Sequence, residues 1–249
     1  MHTYFNEGRL KMINYILTAI HLIASLVLLG LAWYYRNTEF RIKYNRGDRV
    51  YNVSGLHIVY LAVVFLFITA CFHLYYARSS DYIMNVRNGY QPIRWLEYGI
   101  TATLMGFIVA VISGVRDIYL IAALTSIVFA IMTTGYFFEI FFSKYSNSLI
   151  PVLIGFALLL VYSVIVFFVY RDESSKFEDL PRWITWAVIG TLVAFGIFGC
   201  VPLLQLVWPM LSSEWKFIWS EYGYMILSAT AKLFLGGMLG YGILKRPAE

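Results

Sequence analysis

Apolar positions in this chain gather into long runs separated by short polar breaks. Seven runs stand out: 12–35, 54–77, 92–114, 118–142, 148–170, 182–209 and 217–244. Each is long enough to cross a bilayer as a helix, which takes about 20 mostly apolar residues. None shows the polar–apolar alternation over about 10 residues that marks the strands of a membrane barrel. The pattern predicts an all-α membrane protein, a single seven-helix transmembrane bundle over 1–249. Connections are short except for 36–53, and nothing is left over for a soluble domain. Function must sit inside the bundle or on its two small faces. The first run exceeds a signal-peptide core and lacks a small-residue cleavage site, so it reads as a retained span.

Composition agrees. Hydrophobic residues make up 60% of the chain and charged residues 13%, against about 25% charged in soluble domains. Cys71 and Cys200 both fall within spans, which argues against a structural disulfide or a metal site. The net charge of +5 is spread over the loops and reads as charge at a membrane surface, not as a nucleic-acid footprint. Lys and Arg number eleven on the faces opposite the N-terminus and seven on the N-terminal side. Taken plainly, the positive-inside rule then puts the N-terminus outside. Five of the eleven lie in the one long loop, however, and without them the two sides are nearly equal.

Ionisable groups at bilayer depth are the informative exceptions, since each costs about 2.5–3.5 kcal/mol at a helix centre and marks a functional site by default. They are His21, His73, Glu97, Glu139 and Lys232. Lys232 lies mid-span, too deep to reach headgroups, and three readings compete for it: a structural lysine paired with a carboxylate, part of a transport pathway, or the anchor of a carbonyl ligand held as a Schiff base. The third uses the nucleophilicity of a desolvated amine. Glu97 sits in "RWLEYGITATLM", residues 94–105, with Arg94 one turn before it and Thr101 and Met105 one and two turns after. It reads either as an interfacial carboxylate paired with Arg94 or as counterion to a cation on Lys232. The second is favoured, because each charge alone would be uncompensated.

The remaining candidates are weaker. Ser228 shares a face with Lys232, and the small residues around it leave room for a bulky attached chain or simply pack helices. His21 and His73 are hydrogen-bonded bundle residues or, with Glu97, a titratable cluster. Glu139 reads as reaching the headgroups and His57 as interfacial. Phe195 and Phe198 share a face that would flank a polyene, with core packing as the default. Gln205 is a polar group at depth that needs a partner.

Seven spans with a lysine in the middle of the last resemble a rhodopsin. The animal type is a poor match: span 7 runs "KLFLGGMLGYGIL", without an Asn-Pro pair, and span 3 ends "AVISGVRD", without an acidic-Arg-aromatic triplet. "RWLEY" with "SATAK" is similar to the microbial type, where an Arg precedes a carboxylate by three residues and Ala precedes the lysine. Ser228 stands where the pumps carry a second carboxylate, and Ile108 where proton pumps carry a donor carboxylate. A Glu counterion, Ser228, the two histidines and the long first loop together resemble the heliorhodopsins. The resemblance implies all-trans retinal bound to Lys232 as a protonated Schiff base, with Glu97 as counterion and Ser228 nearby. It implies that His21, His73 and Arg94 belong to a polar cavity able to hold a proton. It also implies a homodimer in the cell membrane with the N-terminus in the cytoplasm, against the raw charge count. The activity expected is light sensing and signalling, not ion pumping and not enzymatic catalysis, with an unidentified cytoplasmic partner. Two rivals remain: a light-gated proton or ion channel, and a transporter or membrane enzyme that uses Lys232 and Glu97 without retinal.

Overall fold

The computed structural model describes residues 7–36, 41–46, 49–88, 91–145, 149–175, 181–207 and 213–245. Eight helices and one hairpin follow in chain order: α1 (Glu7–Tyr34), β1 (Arg41–Arg46), β2 (Arg49–Ser54), α2 (Gly55–Arg78), α3 (Ser80–Arg87), α4 (Ile93–Ile112), α5 (Ile118–Tyr145), α6 (Leu149–Ser174), α7 (Arg182–Val207) and α8 (Ser213–Leu244). All helices but α3 are long and apolar enough to cross a membrane. In hydrocarbon every backbone N–H and C=O must be satisfied within the protein, and the helix does so within each segment. The fold is thus the expected all-helical bundle of seven spans. Two local elements depart from the loops expected between them. The first connection carries an antiparallel hairpin in which Tyr44 pairs with Tyr51 and Arg46 with Arg49. The second carries α3, capped at its start by Ser79, whose hydroxyl accepts from the Tyr82 N–H at 3.2 Å.

Polarity is arranged for lipid. Ile23, Leu26 and Val27 on α1 and Leu160 and Phe168 on α6 face outward, while Asn14, His21, His73, Glu97 and Lys232 are buried. Helix α4 lies at the centre: 72% of its apolar window is buried, against 17% for α5 and α6. It packs on α5 and α2, and α8 packs on α7, α2 and α1. This brings the middle of α8 against the start of α4. Just beyond the end of α4, Gly114 has a φ of 101°, a conformation that side chains disfavour. The Glu173 side chain lies over it, so a Cβ there would meet Glu173 Cγ at 2.5 Å. Cys71 and Cys200 are free and exposed on the outer surface.

Candidate cofactor-binding site

Lys232 and Glu97 meet in the interior. Lys232 Nζ on α8 donates to Glu97 Oε1 on α4 at 2.6 Å, and both side chains are almost fully buried. The second carboxylate oxygen, Oε2, accepts from the Tyr76 hydroxyl on α2 at 3.1 Å. The ammonium also lies 5.2 Å from the centre of the Tyr98 ring, a distance at which the face of an aromatic ring attracts a cation. A buried ion pair of this kind holds only when both charges and their remaining hydrogen-bonding capacity are matched. Thr101, one turn on, donates to the Glu97 carbonyl at 2.9 Å, so its hydroxyl is spent on its own helix.

An apolar cavity opens from this pair. Its walls are almost wholly apolar, as in most small-molecule pockets. Lys232, Ser228 and Ala231 line it on α8, Trp95, Tyr98, Ala102 and Met105 on α4, Met132 and Gly135 on α5, Gly155 and Phe156 on α6, and Phe195, Phe198 and Pro202 on α7. The Ser228 hydroxyl, buried beside the lysine, has no hydrogen-bond partner among the described residues. Gly135 makes room for Trp95, because a Cβ there would lie 2.0 Å from the indole. A long apolar molecule with one electrophilic end fits this donor set: a single primary amine, a carboxylate to balance its charge, and hydrocarbon and aromatic walls. Of the positions expected to line such a site, Ser228, Met105, Phe195 and Phe198 do so. The Gln205 side chain lies outside the described residues.

The two histidines are adjacent. The His21 ring on α1 and the His73 ring on α2 are stacked with centroids 5.4 Å apart. His21 Nδ1 donates to the Leu17 carbonyl at 2.7 Å, and His73 Nδ1 to Asn14 Oδ1 at 2.8 Å. Asn14 Nδ2 donates to the Leu10 carbonyl, which leaves Oδ1 as the acceptor. In the neutral rings, protons at both Nδ1 atoms leave both Nε2 atoms as lone pairs. These are buried and without partners among the described residues. The edge of Tyr76, 5.8 Å from His73, joins this pair to Glu97.

Arg94 is not the ion-pair partner of Glu97. It donates to Glu139 on α5 at 3.0 Å and to Glu221 on α8, and its guanidinium lies over the Tyr224 ring at 4.6 Å. Glu139, expected among headgroups, is 4% exposed and also accepts from the Gln91 N–H and from Trp95 Nε1. Arg94 in the interior draws it inward. Glu221 also accepts from the Tyr82 hydroxyl at 2.7 Å, and Asn14 Nδ2 lies 3.5 Å from that same hydroxyl. Burial, reinforced by the Glu221 carboxylate, pushes the Tyr82 phenol well above the usual tyrosine range, so it remains a donor. Glu221, Tyr82, Tyr76 and Asn14 are not among the candidates drawn from the sequence. A signal exists for Glu221: it precedes Lys232 by three helical turns and so shares its face.

No curated protein sequence matches the chain. Among solved structures, cyanorhodopsin from the cyanobacterium Calothrix sp. is similar over 95% of this chain and 94% of its own, with a TM-score of 0.66 and 15% identity. Xanthorhodopsin, a light-driven ion pump with dual chromophore, is similar over 94% of this chain and 93% of its own, with a TM-score of 0.67 and 12% identity. At such identities the likeness is one of fold. The heliorhodopsin family model matches residues 10–244, nearly every residue of the bundle just described, and the chain belongs to the heliorhodopsin family.

Proposed function

We propose that this protein is a light sensor that carries all-trans retinal on Lys232 as a Schiff base, kept protonated by Glu97, and that it signals rather than pumps. The observation that carries this reading is the Lys232–Glu97 pair at the end of an apolar cavity. Retinal, when bound, supplies visible absorption and a light-driven isomerisation. The protein supplies the rest. Glu97 stabilises positive charge at the Lys232 nitrogen, and Tyr76 holds the far oxygen of that carboxylate. Ser228 offers an uncommitted hydroxyl beside the nitrogen. The cavity walls are apolar, and the Nε2 lone pairs of His21 and His73, without partners among the described residues, are proton acceptors reached through Tyr76.

The distribution of titratable groups favours sensing. Among the described residues, the buried acids and histidines (Glu97, Glu139, Glu221, His21 and His73) lie level with Lys232 or toward the N-terminal side of the bundle. Toward the other face the fully buried polar residues are Ser25, Ser113 and Thr191, which do not titrate in the ordinary range, and the charged groups Arg116 and Glu173 there are only half-buried. Vectorial transfer needs proton sites on both sides of the switch. We further propose that the N-terminus is cytoplasmic, that the protein works as a homodimer in the cell membrane, and that a cytoplasmic partner reads its state. In sealed vesicles, illumination should give no sustained pH change. A change abolished by a protonophore would overturn the sensing assignment.

One observation favours a second reading. Tyr76, His73, Asn14, Tyr82 and Glu221 form a polar line from Glu97 toward the N-terminal face, as a light-gated proton channel would need. Photocurrents under voltage clamp that reverse with the imposed proton gradient distinguish this from a sensor.

A further inference from the structure

Helix α3 is too short to span a bilayer and packs one face against the bundle, on α8. Tyr82, Ile83 and Val86 are buried, while Ser80, Asp81 and Met84 are exposed. Two routes lead from the cofactor site to Tyr82. In the first, Glu97 accepts from the Tyr76 hydroxyl, and the Tyr76 ring stacks on Tyr82 with centroids 4.7 Å apart. In the second, Trp95 in the cavity wall donates to Glu139, which holds Arg94; Arg94 holds Glu221, and Glu221 accepts from the Tyr82 hydroxyl. The first route starts at the carboxylate that balances Lys232, and the second at a ring that bounds the cavity. A change of charge and a change of shape therefore converge on one phenol.

We propose that Tyr82 couples the cofactor site to α3, so that this surface helix is held down while Glu97 is ionised and Trp95 is seated, and loosens when either is displaced. A hydrogen bond to an ionised acceptor is roughly twice as strong as one to a neutral acceptor. Neutralising Glu97 thus weakens the hold on Tyr76 in one state and not the other, which is the differential interaction that any switch requires. The inference deepens the light-sensing reading, and its light-driven arm rests on that reading; its dark arm does not.

The test is amide hydrogen exchange of the full chain in lipid nanodiscs, comparing 80–87 with 118–130 as internal reference. Without retinal, Tyr76→Phe and Glu97→Gln should each speed exchange over 80–87 on the order of tenfold and leave the reference unchanged. Unchanged exchange over 80–87 overturns the coupling, as does equal acceleration of the reference, which signals general loosening. Should Glu97→Gln fail to fold, Tyr76→Phe, which removes one oxygen, carries the dark comparison alone. With retinal bound, light should speed exchange over 80–87 in the wild type. Tyr82→Leu, which removes both the ring and the hydroxyl, should exchange fast in the dark, respond no further to light and keep the wild-type visible band. A full light response in Tyr82→Leu, or none in the pigmented wild type, overturns the proposal. Failure of the wild type to take up retinal defeats the light-sensing reading, while the dark comparison still decides the coupling.

Discussion

Lys232 Nζ and Glu97 Oε1 lie 2.6 Å apart on α8 and α4, out of reach of solvent. Neither helix could bury its charge alone, so the pair fixes how the two helices face each other as well as what the site can do. Arg94, one turn before Glu97, has two other carboxylates, Glu139 and Glu221, which leaves the Glu97 charge to the lysine.

The stability of the apoprotein should show this mutual dependence. Breaking a buried pair from one side typically costs about 3–5 kcal/mol, because the other charge is stranded. Lys232→Met alone should lower the unfolding midpoint more than the Lys232→Met/Glu97→Gln double variant does. Thermal unfolding in detergent of the two variants checks this, and equal losses would mean that the charges are not coupled.

Glu97→Gln addresses the electronic role of the carboxylate. With retinal bound, the visible band should move to the red or disappear at neutral pH. Spectra recorded across pH check this, and a band unchanged in position and in pH range would remove Glu97 as counterion.

The wall of the cavity makes a steric prediction. Gly135→Ala places a Cβ where the Trp95 indole lies. Overpacking of this kind costs about 1–3 kcal/mol, and it displaces a residue that bounds the cavity. A lower melting temperature and slower retinal uptake are expected, whereas Gly237→Ala, where nothing lies within 4 Å of the added carbon, should behave as wild type.

The Arg94 cluster is a structural keystone. Glu139→Gln leaves the acceptor oxygen for one donor but weakens the charge-assisted bonds to Arg94, for a loss of about 1.5–3 kcal/mol. Glu139→Leu removes the carboxylate that accepts from Arg94, Trp95 and the Gln91 N–H, leaving Arg94 to Glu221, and should cost more. Unfolding midpoints of the two variants test the order.

Much of this was legible because lipid makes sequence blunt. A charge in the middle of an apolar run, such as Lys232, has no way out, so its depth can be read directly and a partner such as Glu97 inferred. Glu139 and Glu221 stand closer to span ends, where a carboxylate can equally well reach headgroups. Only the three-dimensional placement of Arg94 shows that they turn inward. Tyr76 and Tyr82 gave no signal, since tyrosines are ordinary at membrane interfaces and their roles depend on which hydroxyl meets which carboxylate. Helix α3 was hidden because its eight residues carry too short a period to stand out from a loop, and the hairpin β1–β2 because its strands lie within a polar connection. Orientation stays ambiguous in sequence for a related reason: the charge asymmetry rests on that same connection.

The visible spectrum of the purified protein mixed with all-trans retinal, beside that of Lys232→Ala, tests the central claim most directly. The account predicts a visible band in the wild type that hydroxylamine bleaches under illumination, and only free retinal absorption in Lys232→Ala. A wild type that stays colourless, or a variant that forms the same band, would contradict it.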